Sequence, residues 1–252
     1  MKFCAMTLVN LARIEYIKLF RKSNLLFFFL AVYLFITPIG RGYEELKVMD
    51  NPVAGDFFMA MVNSFSIMGL LLMAIFMVNS TGNDFNEGSY RKGIAMGLSI
   101  QDYYKGKLLL SGFLSVFVIL SVLLIYLIFA VLFLRTDAVD IAKGINPASI
   151  LNQFIALTSA AYFGLFFIMF FRNRTIGLVF FPFWFITEFI VYLLDKSGTQ
   201  RLFAEFFPGI SSYELFTSPD LELQSLMVVI IYITIFLTMA WYGLSLREEK
   251  AG

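Results

Sequence analysis

Long windows without charged residues dominate this chain of 252 residues. A helix needs about 20 apolar residues to cross a bilayer core of about 30 Å. Windows that reach or approach this length predict six membrane spans, at about residues 24–42, 56–80, 107–134, 147–171, 175–195 and 220–246. Apolar residues make up 60% of the chain and charged residues only 15%, which agrees with this prediction. The sequence therefore predicts an all-α polytopic membrane protein, built as one domain over residues 1–252.

Lys and Arg residues are distributed unequally between the predicted connections. Six spans place both termini on one side, and 13 of the 19 Lys and Arg residues fall on that side. The positive-inside rule makes it the cytoplasmic side. The pairs Asn51-Pro52, Asn146-Pro147 and Ser218-Pro219 each place proline after a residue that favours helix N-caps. They are predicted to open the second, fourth and sixth spans from the outside.

The composition also excludes several kinds of chemistry. The chain has no histidine and a single cysteine, Cys4, so a general base of the commonest type and an internal disulfide are both excluded. A net charge of +1 gives no electrostatic footprint for nucleic acid. No Gly-x-x-x-x-Gly-Lys-Ser/Thr motif is present to hold nucleotide phosphates. We therefore expect a protein that is not an enzyme and that carries no cofactor, no metal and no nucleic acid.

The first 23 residues show moderate amphipathicity at helical spacing. Glu15, Lys18, Arg21 and Lys22 fall on one arc, opposite a set of apolar residues: Leu8, Val9, Ala12, Tyr16, Leu19 and Phe20. This pattern predicts an interfacial helix that anchors the first span. The alternative is a basic flank that happens to be helical.

The stretch 84–108 is polar, basic and interrupted by glycine, with a long uncharged run on either side. Its periodicity predicts a short helix from about Phe85 to Met96, a turn near Gly97 and a second helix from Gln101 into the third span. A polar segment kept between two spans is predicted to face a soluble partner. The alternative is an ordinary solvated loop that carries positive-inside charge.

Three runs in and after this segment resemble the signature of ABC-2 type permeases, the membrane subunits of ATP-binding cassette exporters. They are Glu87-Gly88-Ser89-Tyr90-Arg91, Leu98-Ser99 and Tyr104-Lys105-Gly106-Lys107-Leu108-Leu109. The opening run Glu15-Tyr16-Ile17-Lys18-Leu19-Phe20-Arg21 is similar to that of the smaller permeases linked to lantibiotic immunity and bacitracin resistance. The turn proline of the family pattern is absent, and Ser99 lies near its place.

This resemblance implies a transporter subunit in a bacterial cytoplasmic (inner) membrane. ATP would be bound by a separate ABC ATPase subunit, and a second permease copy or a paralogue would complete the transporter in the lipid bilayer. The exported substrate would be amphipathic or hydrophobic, such as a peptide antibiotic or a lipid-like molecule. Segment 84–100 would be the coupling segment that contacts the ATPase, with these residues at the contact: Phe85, Glu87, Gly88, Arg91, Lys92 and Gly93.

The fifth connection contains a second candidate element, at residues 199–217. Leu202, Phe203, Phe206 and Phe207 recur at helical spacing before a break at Pro208-Gly209, and Ser211 with Glu214 matches a capping box. In the family, a pair of short re-entrant helices here closes the exit path. Phe206 and Phe207 are therefore translocation candidates. The alternative is an aromatic belt at the interface.

Glu188 is the one ionisable residue predicted well inside a span. Such residues are costly in a membrane and face protein or water, so Glu188 is a translocation or gating candidate. Pro182, six residues earlier, is predicted to kink the same helix. The alternative places Glu188 near the interface, hydrogen-bonded to a neighbouring span.

Two other functions compete with transport. A membrane-embedded enzyme would need catalytic side chains that converge within the spans, and the absence of histidine argues against one. A non-transporting anchor or assembly factor could use the same segment to recruit an ATPase or another cytoplasmic partner. The sequence leaves this second alternative open.

Overall fold

The computed structural model describes residues 54–131, 143–196 and 204–245. The predicted interfacial helix 1–23, the first predicted span 24–42 and the pair Asn51-Pro52 lie outside the described residues, as do Leu202 and Phe203.

The described residues are helical, with no strand among them. The helices are α1 (Ala54–Asn86), α2 (Ser89–Ala95), α3 (Ile100–Phe129), α4 (Pro147–Phe171), α5 (Arg174–Lys196), α6 (Pro208–Thr217) and α7 (Leu223–Ser245), with a 3₁₀ turn at Ala204–Phe206. Five of them are long and apolar enough to cross a membrane: α1, α3, α4, α5 and α7. The all-α, multi-pass character is thus confirmed, and these five correspond to the second to sixth predicted spans.

Helix α4 lies at the centre of the bundle and packs against α1, α3, α5, α6 and α7. Its contact with α1 is close, because a Cβ atom on Gly164 would overlap the backbone of Ala74. Small residues at such a crossing let two membrane helices approach and gain dispersion energy. By contrast, α3, α5 and α7 expose apolar side chains such as Leu124, Phe183 and Ile231, as lipid-facing helices do.

Aromatic rings fill much of the interior. Phe163 of α4 stacks on Phe236 of α7 with ring centroids 4.4 Å apart, and its edge meets the ring of Phe181 in α5 at 5.3 Å. Near the start of α1, Phe57 and Phe58 pack around the buried ring of Tyr126. These phenylalanines therefore hold the helices together, since each such ring pair contributes about 0.5–1.5 kcal/mol beyond the free energy gained by burying its apolar area.

The start of α4 and the segment before α7 meet at one end of the bundle, which we call the α4-start end. The Asn146 side chain accepts a hydrogen bond from Ala148 N at 3.0 Å and donates one to Pro219 O at 2.8 Å. Asn152 donates to Asp220 O at 2.8 Å. The predicted helix opening at Asn146-Pro147 is confirmed, with Pro147 in the first turn.

The prediction that Ser218-Pro219 opens the last span is wrong. Helix α7 begins at Leu223, and Ser218 is instead the C-terminal cap residue of α6. The reason lies in the partners of this segment. The carbonyls of Ser218, Pro219 and Asp220 accept hydrogen bonds from Asn152 and Asn146, which holds the backbone in a turn rather than in a helix.

The two helices beside the polar segment differ in how well they were predicted. Helix α1 continues past the predicted end at residue 80 to Asn86, whereas α3 begins at Ile100, one residue before the helix start predicted at Gln101. The polar residues Asn83 and Asp84 can remain in α1 because both are buried with partners. At the start of α3, Ser99 caps the helix by accepting a hydrogen bond from Asp102 N at 3.0 Å. The predicted helix from Phe85 to Met96 is therefore two pieces, with Phe85 in α1 and α2 starting at Ser89.

Candidate functional site

A buried ion pair joins the two helices that flank α2. Lys107 Nζ of α3 lies 2.7 Å from Asp84 Oδ2 of α1, and both side chains are almost fully buried. The hydroxyl of Tyr103 donates to the same Asp84 oxygen at 3.3 Å, and Ser89 Oγ of α2 donates to Asp84 Oδ1 at 3.0 Å. We call these four residues the Asp84 cluster. It connects α1, α2 and α3 through one carboxylate.

Three aromatic rings lie beside the Asp84 cluster. Tyr90 of α2 contacts Phe85 at 5.2 Å and Tyr103 at 4.7 Å between ring centroids, both edge to face. Tyr90 is buried although α2 has only seven residues. A helix this short is not stable alone, so these contacts must hold it in place.

A left-handed glycine sets the direction of α2. Gly88 has φ 68°, a conformation that a residue with a Cβ atom adopts only under strain. It separates the end of α1 from the start of α2, and a Cβ at this position would meet no other atom within 4 Å. The requirement at Gly88 is thus conformational rather than spatial.

The turn between α4 and α5 contacts the same region. Arg174 Nη1 donates to Asn83 Oδ1 of α1 at 2.9 Å. Arg172 donates to Leu244 O of α7 at 2.8 Å, and its guanidinium lies 5.8 Å from the centre of the Tyr90 ring. Segment 84–100, the α4–α5 turn and the end of α7 therefore meet at one end of the bundle, the α2 end. The opposite end of α4 is the α4-start end, as a serial crossing of the membrane requires.

Apart from Gly88, the predicted coupling residues divide into two groups. Phe85 is half-buried among the rings, and Gly93 packs against Leu98, so both support α2 from within. Glu87, Arg91 and Lys92 are exposed.

The C-terminal end of α2 carries another exposed residue, which was not among the coupling residues predicted from the sequence. Met96 is the C-terminal cap residue of α2, and 79% of its surface is exposed. An apolar side chain this exposed, next to two cations, is suited to a protein contact. The α2 surface is defined here as Arg91, Lys92 and Met96.

The translocation candidates lie nearer the α4-start end. Glu188 of α5 is buried, and its carboxylate accepts hydrogen bonds from Trp184 Nε1 and, at 2.7 Å, from Gly209 N of α6. Phe207 is the N-cap residue of α6, so the structure brings it close to Glu188, whereas the Phe206 side chain is exposed. Pro182 lies inside helix α5, which continues past it. The structure therefore does not bring Pro182 into the hydrogen bonds around Glu188.

The capping box predicted at Ser211 and Glu214 is wrong. Helix α6 starts three residues earlier, at Pro208, because proline fits the first turn of a helix, where its missing N–H is not needed. Ser211 lies inside the helix, and its hydroxyl donates to Glu205 O at 2.6 Å.

Sequence reasoning missed the most connected residues of the α2 end. Asp84 and Lys107 were not selected as site residues and were interpreted only as members of the polar stretch between the second and third spans, yet they form a buried pair. A signal was available, since the two opposite charges stand at the facing ends of two consecutive apolar runs. Such an arrangement places both charges at one membrane boundary.

In the part of the chain that the structure describes, no group of three or more His, Cys, Asp or Glu residues is placed to bind a metal ion. Comparisons of the chain with protein-family models, with curated proteins and with solved structures found no match. The geometry of the two ends of the bundle is therefore what indicates a function.

Proposed function

We propose that this chain is the membrane-spanning permease subunit of an ATP-binding cassette exporter, which couples ATP hydrolysis by a separate ATPase subunit to export of an amphipathic or hydrophobic substrate. The observation that carries the proposal is the Asp84 cluster beneath the α2 surface. A soluble motor that pushes on α2 needs a stiff connection to the spans, and a fully buried, hydrogen-bonded ion pair supplies one.

The contacts of α2 extend this connection beyond α1 and α3. The Tyr90 ring of α2 lies beside the guanidinium of Arg172, which links α2 to the α4–α5 turn. Arg172 also donates a hydrogen bond to Leu244 O at the end of α7. A displacement of α2 would thus act on all five candidate spans as a group. This is the arrangement expected for a rigid-body switch between inward- and outward-facing states.

The α2 surface defines what the ATPase must offer. Arg91 and Lys92 favour an acidic rim, and Met96 favours an apolar pocket inside that rim. The positive-inside rule places the α2 end in the cytoplasm, where such a partner is found. In the complete transporter this subunit pairs with a second copy or a paralogue in a bacterial cytoplasmic membrane, with both termini cytoplasmic.

At the other end, α6 provides the re-entrant element of the proposal. Ser212 of α6 donates to Ser159 of α4 at 3.3 Å, and Asn152 of α4 donates to the carbonyl of Ser218 at 3.3 Å. Helix α6 therefore runs antiparallel beside α4. Ser159 lies 12 residues after Pro147, a depth of about 18 Å along the helix. We propose that α6 dips into the membrane from the outer side and closes the exit path.

The test uses an ABC ATPase subunit that co-purifies with this chain when the two are co-expressed. We expect Lys92→Glu to abolish co-purification and substrate-stimulated ATP hydrolysis, because it reverses one charge of the α2 surface. Lys105→Glu makes the same change at an exposed lysine of α3 and is the matched control. Equal retention of the ATPase by both variants would refute the proposed docking.

The main alternative is a non-transporting anchor that recruits the ATPase or another cytoplasmic partner through the same surface. The two functions differ in one measurement. An anchor would retain the ATPase, but no amphipathic compound would stimulate ATP hydrolysis or move across a proteoliposome membrane.

A further inference from the structure

Helix α6 begins without a local cap. Phe207, at the N-cap position, supplies no side-chain hydrogen bond, and Pro208 has no N–H to offer. The N–H of Ser211 closes the first regular bond to Phe207 O at 2.9 Å. Two donors of the first turn, Gly209 N and Ile210 N, therefore need an acceptor from elsewhere.

Glu188 supplies that acceptor from a different helix. Its Oε2 accepts from Gly209 N at 2.7 Å. The negative carboxylate also faces the N-terminal, positive end of the α6 dipole. We propose that Glu188 is a positioning residue that caps α6 from α5, and that this cap is the latch that holds α6 inside the bundle.

The remaining groups around the carboxylate agree with this assignment. Trp184, one turn earlier on α5, donates its Nε1–H to Glu188 Oε1 and orients the carboxylate toward α6. Gly209 has no Cβ, and a Cβ there would overlap Glu188 Oε2 and press on the Phe185 ring. The described partners of Glu188 are thus N–H donors rather than Lys or Arg side chains. We call Trp184, Glu188 and Gly209 the Glu188 latch.

The latch gives α5 an attachment at each end of the bundle. At its first residue, Arg174 holds Asn83 beside the Asp84 cluster, and 14 residues later Glu188 holds α6. These attachments are about 21 Å apart along one helix. A tilt of α5 would therefore displace α6 as well. The latch itself requires neither an ATPase nor a substrate, so it can be tested apart from the proposed function.

The test measures how fast a maleimide labels single cysteines in the purified, detergent-solubilised chain. In a Cys4→Ser background, Ser212→Cys reports on α6, and Ser111→Cys reports on α3; both serines are buried. We expect Glu188→Ala to increase labelling at position 212 by about tenfold, because the buried N–H of Gly209 loses its acceptor. Labelling at position 111 should stay unchanged. The matched control is Thr187→Val, at an exposed neighbour whose hydroxyl bonds only its own helix.

A compensating pair distinguishes a latch from a general loss of stability. In Glu188→Gln the amide can satisfy either Gly209 N or Trp184 Nε1 but not both, because one end of an amide donates. Labelling at position 212 should then be intermediate. Adding Trp184→Phe removes the competing donor and should restore protection.

Three results would overturn the proposal. The first is equal labelling at position 212 in Glu188→Ala and Thr187→Val. The second is a parallel rise at positions 111 and 212, which would make Glu188 a support of the whole bundle. The third is faster labelling when Trp184→Phe is added to Glu188→Gln.

Discussion

Removing the lysine of the Asp84 cluster should destabilise the bundle more than any surface charge can. Lys107→Met keeps the length of the side chain but leaves the Asp84 carboxylate buried without its cation, 2.7 Å from where Nζ was. Removal of one partner from a buried ion pair costs about 3–5 kcal/mol. The hydroxyls of Tyr103 and Ser89 still donate to Asp84, so we expect the lower part of this range, about 3 kcal/mol.

The assay is reversible unfolding in mixed detergent micelles, with the free energy of unfolding compared across four proteins. These are the native chain, Lys107→Met, Asp84→Asn and the double variant. Because the two residues share one interaction, their effects should not add, and a coupling energy of about 1–3 kcal/mol should remain. The matched control is Lys105→Met, at an exposed lysine one half-turn away, which should change the free energy by less than about 0.5 kcal/mol.

Two outcomes would refute this reasoning. In one, Lys107→Met costs no more than Lys105→Met, which would mean that the pair is solvated. In the other, the two substitutions add fully, which would mean that Asp84 and Lys107 act on separate parts of the fold.

Three further substitutions test other contacts by the same unfolding measurement. Gly88→Ala should destabilise by about 1–3 kcal/mol, because φ 68° strains any residue with a Cβ, and a loss below about 0.5 kcal/mol would contradict that account. Tyr104→Phe removes the hydroxyl that donates to Leu237 O at 2.7 Å and should cost about 1 kcal/mol; no change would show that this α3–α7 bond is not stabilising. Asn146→Ala removes the N-cap of α4 and should cost about 0.5–2 kcal/mol; no loss would show that this cap does not stabilise α4.

The long helices could be predicted from the sequence because a membrane span is recognised by hydrophobicity summed over about 20 residues. Windows without charge around Leu157 or Val229 leave few other structures in a bilayer. The opening of α4 was also predictable, because Asn146 and Pro147 act on their own backbone.

Helix ends that depend on distant partners could not be predicted in the same way. Helix α1 runs on to Asn86 because Asp84 and Asn83 find partners on α3 and in the α4–α5 turn. The turn at Pro219 depends on Asn146, 73 residues away. Each of these contacts is set by how the helices pack, which a local motif does not encode.

The candidate site shows the same division. The exposed residues Arg91 and Lys92 were predicted from composition, since a polar basic segment between two spans is visible in the sequence alone. The role of Glu188 was not, because its carboxylate caps a helix that begins 20 residues later. The capping box at Ser211 was wrong because α6 already begins at Pro208, and the acceptor for its first turn comes from Glu188 of α5.

The most direct test of the account is photocrosslinking between the α2 surface and the ABC ATPase subunit that the account requires as its partner. A photoreactive amino acid would replace Met96 in one protein and Phe183, an exposed apolar residue of α5, in a control. The account predicts a covalent adduct with the ATPase from position 96 and none from position 183. Co-purification of the two proteins without an adduct at position 96, or with an adduct at position 183, would contradict it.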